Sequence, residues 1–294
     1  MSPISRREFL KTSFAVGTVA GAATVPLRAD TVQKANEKVT LGKSSLQVTR
    51  LAFGTGSNNG YVQKALGQQE FSRLVSHAYE RGIRFFETAE SYVTPAMLAE
   101  ALKPYPRESY ALMNKVTTDP GVDPAKRFDE MRRISQTEYF DIMLLHWQHT
   151  GNWIEETARW RDGIDEAQAK QTIRVRGVSV HGLPALRLVP GDKWLEVAMI
   201  RMNHNGTRMD GPIPDDGNPG NVPEVVAHVK QVKSEGMGVI SMKLIGDGTF
   251  TRHEDRQAAM RFAFNNAGVD CVTVGFKHTR EIDEAIDNLN IALT

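Results

Sequence analysis

Three ionisable residues each follow a short apolar run of the sequence, and a tyrosine follows the first of them. Glu87 ends the run that begins at Ile83, Lys115 ends the next run, and His146 ends the one after that. Tyr92 comes five residues after Glu87. A lysine beside a tyrosine stabilises the phenolate, lowers the pKa of the hydroxyl and lets it exchange a proton with a carbonyl oxygen near neutral pH. We expect Glu87 to hold the ammonium group and His146 to orient the carbonyl or relay a proton.

A purely structural role would also fit these residue types. Glu87 and Lys115 would then form a salt bridge, and His146 would satisfy its hydrogen bonds within a core. A buried charge without a partner is costly, however, so ionisable groups at consecutive strand ends make most sense as partners of one another. Their succession along the chain therefore favours a shared catalytic site.

Eight short apolar runs have the pattern of buried strands. Each is bounded by glycine, proline, aspartate or asparagine, and their nearly continuous hydrophobicity is typical of parallel strands buried on both faces. The runs cover residues 50–54, 83–88, 110–116, 141–147, 175–181, 196–203, 238–244 and 271–276.

Helical patterns lie between these runs, such as the apolar stripe of Phe71, Leu74, Val75 and Ala78. Eight strand and helix units in about 250 residues predict an α/β fold, a (β/α)8 or TIM barrel over residues 30–294. In such a barrel the carboxyl ends of the strands meet at one mouth, where Glu87, Lys115 and His146 would converge.

Several shorter signals complete the predicted organisation. Thr94 and Asp123 precede first-turn prolines, and Asn221 precedes Glu224 by three residues, so all three positions predict helix starts. Alternation on both sides of Ser44-Ser45 predicts a β-hairpin before the barrel. Residues 206–221 are rich in glycine and proline and predict a long loop, either a lid over one barrel end or an insertion.

Composition narrows the possible partners. The chain has 294 residues with 40% hydrophobic and 24% charged residues, which excludes a disordered chain. A net charge of +1 gives no overall field for nucleic acid, and the single cysteine excludes an internal disulfide or an all-cysteine cluster. We therefore expect no nucleic-acid partner, no metal and no iron–sulfur cluster.

The N-terminus resembles a twin-arginine export signal. Arg6-Arg7 is followed by Phe9-Leu10-Lys11 and then by a charge-free, weakly apolar stretch over residues 12–25. We expect residues 1–29 to be an export leader, the export machinery to be a partner, and the protein to be periplasmic or otherwise exported. The stretch is too short for a comfortable membrane span. Cleavage before Asp30 and an uncleaved tether both stay open.

Five segments are similar to the successive signatures of the aldo-keto reductase family. They are residues 82–92, Asn114-Lys115-Val116, Leu144-Leu145-His146, Gly177-Val178-Ser179 and Val274-Gly275. The resemblance spans roughly residues 38–290 and implies a (β/α)8 barrel whose initial hairpin plugs the bottom. It implies that Glu87, Tyr92, Lys115 and His146 form a catalytic tetrad.

The same resemblance implies a nicotinamide cofactor, with NADP favoured over NAD. Ser179 would contact the nicotinamide amide, Asn203 is a further cofactor-binding candidate, and Gly275, Lys277 and Arg280 would receive the adenosine phosphate. Lys243 could reach the pyrophosphate or be an ordinary surface lysine. A glycine turn before a helix N-terminus with cations alongside is also an anion site on physical grounds.

The sequence departs from the family pattern at several of these positions. Glu87 stands where the family has aspartate, and the cofactor cradle differs at Val180, Met199, Met242 and Ala285. The proton-transfer residues are therefore kept, while the cofactor cradle has diverged.

These features together predict an exported NADP-dependent oxidoreductase. It would interconvert a small carbonyl, an aldehyde, ketone or sugar, with its alcohol or polyol, using Tyr92 as general acid and base. Trp147 and Trp153 are candidate walls of the substrate pocket or ordinary packing residues. Two alternatives remain, a ligand-binding barrel without redox activity and a lyase or isomerase that uses Tyr92 and Lys115.

Overall fold

Eight parallel strands close into a barrel, in which each strand pairs with the next one along the chain and the last, which begins at Cys271, pairs with the first, which begins at Leu51. The computed structural model describes residues 34–215 and 217–294, so the predicted leader over residues 1–29 lies outside the described residues. The barrel strands are β3 (Leu51–Gly54), β4 (Phe85–Glu87), β5 (Ala111–Val116), β6 (Phe140–Gln148), β7 (Ile173–Val180), β8 (Val197–Arg201), β9 (Gly238–Met242) and β10 (Cys271–Gly275). The predicted (β/α)8 barrel is confirmed, and every strand lies within two residues of its predicted bounds.

Helices surround the barrel and bury their apolar stripes against it. They are α1 (Tyr61–Lys64), α2 (Gly67–Glu80), α3 (Pro95–Leu102), α4 (Pro124–Ile134), α5 (Trp153–Glu156), α6 (Ala158–Ala169), α7 (Leu183–Leu186), α8 (Val222–Ser234), α9 (His253–Arg261) and α10 (Thr279–Ala292). In α2 the stripe of Phe71, Leu74, Val75 and Ala78 is buried, as its spacing predicts.

Two of the three predicted helix caps are present. Asp123 accepts a hydrogen bond from the Lys126 amide at 3.0 Å, and Asn221 accepts one from the Glu224 amide at 3.2 Å. The predicted helix start at Thr94 is confirmed, since α3 begins at Pro95, but the Thr94 side chain makes no capping hydrogen bond, because its buried hydroxyl donates to the Thr55 carbonyl at 3.1 Å instead. A tertiary contact at the end of β3 thus replaces the local one.

A two-stranded antiparallel hairpin closes the end of the barrel at which the strands begin. It is formed by β1 (Lys38–Thr40) and β2 (Gln47–Thr49), and it confirms the predicted hairpin. Leu41 between them is fully buried in the apolar cluster inside the barrel. The Lys43 amide donates to the Gly236 carbonyl at 2.7 Å, just before β9 begins.

The barrel interior changes from apolar to polar toward the mouth. Alternate residues of a strand face the same side, so each strand contributes a stack of inward side chains. The apolar part includes Phe85, Met113, Leu144 and Met199. The residues two positions further along these strands are, in the same order, Glu87, Lys115, His146 and Arg201. We call these four residues the mouth ring.

The loop over residues 206–221 is tied to the mouth ring. Arg201 is 3% exposed, and its Nη2 lies 2.7 Å from Oδ1 of Asp215 in the loop. Its Nε lies 3.6 Å from Oδ1 of Asp210, which is fully buried. The Trp147 indole donates to Asp215 at 3.3 Å. The loop therefore lies at the mouth, on the side where β6 and β8 end.

Membrane-crossing helices are absent from the ranges 34–215 and 217–294, where no helix combines the necessary length with sufficient apolar character.

Shortening Leu41 should weaken the closed end of the barrel. We expect Leu41→Ala to lower the free energy of unfolding by about 3 kcal/mol, because it leaves a cavity among buried apolar side chains. Ile291→Ala removes an aliphatic side chain that is 47% exposed and should cost less than about 1 kcal/mol. Urea unfolding of both variants measures the difference, and equal losses would place Leu41 outside the core.

Asp210 should make stability depend on pH. Burial raises the pKa of Asp210 from its ordinary 3.8 to about 7, although the Arg201 charge opposes the shift. The folded-state pKa is the higher one, so the stabilisation is full below pH 3.8 and is lost as the pH rises through about 7.

We therefore expect Asp210→Asn to remove this loss. Between pH 5 and pH 7 the wild type should lose about 2 kcal/mol more unfolding free energy than the variant. Urea unfolding at a series of pH values measures both curves. Parallel curves for the two proteins would show that Asp210 does not titrate in this range.

Candidate active site

Two neighbouring members of the mouth ring, Glu87 and Lys115, form a buried ion pair. Glu87 is 3% exposed and Lys115 is 1% exposed, and the Lys115 ammonium donates to the Glu87 carboxylate. It also donates to the Thr88 carbonyl at 2.9 Å. Burial lowers the pKa of Lys115 and the Lys243 charge acts in the same direction, while the bonded Glu87 carboxylate opposes both. The ammonium is thus held by two fixed acceptors.

Tyr92 lies just beyond β4, with its ring against Gly56. A Cβ atom on Gly56 would stand 2.5 Å from the Tyr92 hydroxyl oxygen, so only glycine fits there. The Lys115 Nζ lies 4.7 Å from the centre of the Tyr92 ring. Lysine therefore faces the ring of the tyrosine while its hydrogen bonds go to Glu87 and Thr88.

The protonation of Tyr92 differs from the sequence-based expectation. Burial raises the pKa of Tyr92, and the nearby Asp247 charge raises it further. The net lowering expected from Lys115 is not seen, because burial outweighs the effect of an ammonium whose hydrogen bonds go to the Glu87 carboxylate and the Thr88 carbonyl. Tyr92 consequently carries its proton at neutral pH and is a donor.

His146 faces the same space as a neutral imidazole. Its ring meets the Tyr92 ring edge-on with 5.8 Å between centroids, and its Nδ1 lies 3.3 Å from the Ser91 hydroxyl. Burial lowers the pKa of His146 well below its ordinary value, and the Lys115 and Lys243 charges add to that shift. A neutral ring has one nitrogen that donates and one that accepts.

Two predicted cofactor contacts, Ser179 and Asn203, differ in whether their polar side-chain atoms already have strong hydrogen-bond partners. Among the residues that the structure describes, the buried Ser179 hydroxyl has only the Met242 sulfur, at 3.9 Å, as acceptor, and a thioether is a weak one. Asn203 instead donates to the Thr207 and Lys243 carbonyls and accepts from the Gly206 amide, at 2.7, 3.2 and 2.9 Å. Ser179 can take a carboxamide as partner, whereas Asn203 is a structural residue of the loop.

Lys243 lies at the end of β9 and is paired within its own segment. Its Nζ donates to Asp247 at 2.9 Å, and its charge acts on both Lys115 and His146. It therefore belongs to the mouth, although its ammonium already has a carboxylate partner.

The start of α10 fits a phosphate group through side chains. Lys277 and Arg280 are exposed, and in the part of the chain that the structure describes neither has an ion-pair partner. The Lys277 and His278 amides already donate to Glu281, at 2.7 and 3.3 Å. Gly275 keeps room beside Gln63, whose Nε2 would stand 2.9 Å from an added Cβ. The site thus offers cationic side chains, while the helix amides are capped.

The two tryptophans have different surroundings. Trp153 is fully buried in the core between helices and barrel, and its indole donates to the Ala185 carbonyl at 3.2 Å. Its predicted place in the pocket wall is wrong, since α5 turns the ring inward. Trp147 is 49% exposed at the end of β6, with a backbone φ of 57°, and stays at the mouth.

His181 and Arg201 are not among the residues predicted from the sequence, yet both lie at the mouth. The Arg201 guanidinium contacts Nδ1 of His181 through a hydrogen bond. The His146 and His181 rings meet edge-on at 6.2 Å between centroids. The signal that points to Glu87, Lys115 and His146 also marks His181, which ends the run over residues 175–181, whereas Arg201 lies inside the run over residues 196–203.

A cavity of about 200 Å³ opens beside Tyr92, between α3 and α4. Of the four candidate catalytic residues, Tyr92 alone lines it, together with Glu90, Asn114 and Arg127. It flanks the place where Lys115 and His146 converge. Within the described residues, no group of three or more histidine, cysteine, aspartate or glutamate side chains could hold a metal ion.

Sequence comparison places the chain among known proteins. A model of the Aldo/keto reductase family matches residues 50–261. Probable aldo-keto reductase 1 of Glycine max is 26% identical over 176 residues, which are 52% of this chain and 51% of that protein. The chain thus spans about half the length of that curated relative.

Solved structures share the fold. One of a protein from Pseudomonas aeruginosa, also classed as an aldo-keto reductase, has a TM-score of 0.68 at 17% identity and covers 89% of this chain and 98% of its own. The holo form of an aldo-keto reductase from Bacillus halodurans has a TM-score of 0.66 at 19% identity and covers 86% of this chain and 90% of its own. The matched residues 50–261 make up most of the chain and include Glu87, Tyr92, Lys115 and His146, so the chain belongs to the aldo/keto reductase family.

Proposed function

We propose that this protein is an NAD(P)-dependent oxidoreductase that interconverts a small carbonyl compound and its alcohol. The observation that carries the proposal is a protonated tyrosine beside a buried lysine and carboxylate pair, at the mouth of an aldo/keto reductase barrel. The hydroxyl donor of Tyr92, the Lys115 charge that stabilises its anion and the neutral imidazole of His146 lie next to one another.

Tyr92 acts as the general acid in the reducing direction. When bound, a reduced nicotinamide would supply the hydride that reduces the carbonyl carbon. The Tyr92 hydroxyl gives its proton to the carbonyl oxygen, which becomes the alcohol. Lys115, with its ammonium 4.7 Å from the Tyr92 ring, stabilises the phenolate that develops, and in the oxidising direction the same proton returns.

Glu87 and His146 place the reacting groups. Glu87 fixes the Lys115 ammonium so that its charge stays beside Tyr92. His146 is neutral, so its N–H can donate to the carbonyl oxygen without competing with Tyr92 for the proton. Trp147 supplies a half-exposed apolar wall next to this space.

NADP is the proposed cofactor. Lys277 and Arg280 are exposed cations at the start of α10, and they suit the additional phosphate that distinguishes NADP from NAD. Ser179, whose hydroxyl contacts the weakly accepting Met242 sulfur, would bind the carboxamide at the other end of the cofactor.

A ligand-binding barrel without redox activity is the second candidate. It is favoured by Asn203, whose polar atoms are all engaged within the protein, and by the capped amides at α10. Titration of purified protein with NADPH, followed by nicotinamide fluorescence, separates the two functions. Saturable binding at micromolar concentrations supports the oxidoreductase, and no binding at high micromolar cofactor supports the second candidate.

Export is also part of the proposal. Arg6-Arg7 and the apolar stretch after it support an export leader over residues 1–29 and a periplasmic or otherwise exported location. The partner would be the twin-arginine export machinery, which reads the arginine pair as an address.

Tyr92→Phe should abolish turnover while keeping cofactor binding. We expect kcat to fall by about 100-fold or more, because general acid catalysis contributes factors of that size. The Kd for NADPH should change by less than about twofold, since the ring remains. Tyr139→Phe is the matched control, because Tyr139 precedes β6 at the opposite end of the barrel. A Tyr92→Phe enzyme that keeps more than about a tenth of the wild-type kcat would contradict the assigned role.

Removing both cations at the start of α10 should weaken the binding of NADPH more than that of NADH. We expect Lys277→Ala with Arg280→Ala to raise the Kd for NADPH by about tenfold or more and the Kd for NADH by less than about threefold. Lys170→Ala removes an exposed cation at the end of α6 and serves as control. Equal weakening of both cofactors would argue against a phosphate contact here.

The arginine pair should be necessary for export. In a bacterial host that has the twin-arginine route, replacing Arg6 and Arg7 with lysines should retain the protein in the cytoplasm. Arg28→Lys is the control, because it makes the same exchange outside the pair. Cell fractionation and immunoblotting measure the result, and undiminished export of the double variant would reject the leader.

A further inference from the structure

The mouth holds a second imidazole that the proposed chemistry does not use. His181 directly follows β7, the strand beside the one that carries His146. The two rings are 6.2 Å apart between centroids and meet edge-on, and the Trp147 ring is 6.5 Å from His181. His181 therefore borders the space in which Tyr92 and His146 would meet a substrate.

Arg201 fixes which nitrogen of His181 carries the proton. The Arg201 Nη2 donates to Nδ1 of His181, and a guanidinium has no acceptor atom. Nδ1 must therefore present its lone pair, which puts the proton of the neutral ring on Nε2. Burial and the Arg201 charge lower the pKa of His181 well below its ordinary value, so the ring is neutral.

This Nε2–H group is buried and unpaired. Among the described residues it has no hydrogen-bond partner. A buried donor without a partner is uncommon and costly, so it calls for an explanation. Arg201 is itself held by Asp215 at 2.7 Å and by the buried Asp210 at 3.6 Å, which prevents the guanidinium from turning away. The contacts of Arg201 with His181, Asp215 and Asp210 thus keep the Nε2–H group of His181 in one orientation at the mouth.

The charges at the mouth indicate what kind of atom this N–H would bind. Each of the three cations already has a carboxylate, since Lys115 pairs with Glu87, Arg201 with Asp215 and Lys243 with Asp247. A substrate carboxylate would find no free cation there, and its burial would be costly. An uncharged oxygen avoids that cost and still accepts the hydrogen bond.

We propose that the Nε2–H of His181 binds a hydroxyl oxygen next to the reacting carbonyl, so that the preferred substrates are hydroxyaldehydes or hydroxyketones. The proposal rests on the proposed oxidoreductase function. His181 is the specificity-determining residue, and Arg201 is a positioning residue that fixes its tautomer. Because Nε2 has almost no accessible surface, the proposal requires a neighbouring side chain to move when the oxygen binds, and Trp147, which is 49% exposed, is the neighbour we expect to move.

The kinetic test compares two ketones that differ by one hydroxyl group, hydroxyacetone and acetone. The wild type should show a kcat/KM for hydroxyacetone that is about tenfold or more above that for acetone. His181→Phe should bring this ratio close to one, and His181→Gln, whose amide can donate from a similar place, should restore part of it. His149→Phe is the control, since His149 lies beside Trp147 but outside the mouth ring. A ratio near one in the wild type, or a ratio unchanged in His181→Phe, would overturn the proposal.

A second measurement does not depend on turnover. In ¹⁵N-labelled wild-type protein, the His181 ring should give the NMR pattern of a neutral ring with its proton on Nε2, and Arg201→Lys should change that pattern. Adding hydroxyacetone should shift the Nε2 signal, and adding acetone should not. A proton on Nδ1, or equal shifts with both ketones, would overturn the proposal. Turnover of both ketones without preference would overturn only the role of His181, whereas no turnover of any carbonyl would overturn the oxidoreductase function.

Discussion

The buried Glu87 and Lys115 pair is the interaction on which the rest of the site depends. Two opposite charges that are almost fully removed from water are tolerable only when they contact each other and further acceptors. That requirement fixes the ends of β4 and β5 relative to each other, and it holds a positive charge against the ring of Tyr92. It also acts on His146, because the Lys115 charge helps to keep that imidazole neutral. The ion pair thus adds to the effect of burial, which is the larger cause of the neutral state of His146.

The other cations at the mouth are also paired with carboxylates. Inward positions of β4, β5, β6 and β8 are apolar deeper in the barrel and polar at the mouth, where the three cations Lys115, Arg201 and Lys243 each contact a carboxylate. Lys243 has Asp247, and Arg201 has Asp215 of the long loop. The long loop therefore supplies a carboxylate that pairs with a cation of the site.

The sequence predicts what depends on periodicity and leaves out what depends on contacts between distant segments. Strand bounds and the residues of the mouth ring at Glu87, Lys115 and His146 follow from apolar runs and their ends, and so do two of the helix caps. Thr94 bonds to Thr55 rather than capping α3, and Trp153 turns into the core, because partners far along the chain decide both. Asp210 lies in an irregular loop, so its burial against Arg201 has no periodic signal. Burial and the Asp247 charge raise the pKa of Tyr92, and both depend on the fold rather than on the local sequence.

A comparison of Lys115→Met with the double variant Glu87→Gln, Lys115→Met tests the central claim most directly. Lys115→Met leaves the carboxylate buried and unpaired, so the account predicts a loss of about 3–5 kcal/mol in unfolding free energy together with loss of carbonyl turnover. The double variant removes both charges and should recover most of that stability without recovering turnover, because the charge beside Tyr92 is still missing. Turnover that returns with stability in the double variant would contradict the account, since the pair would then serve only to hold the fold.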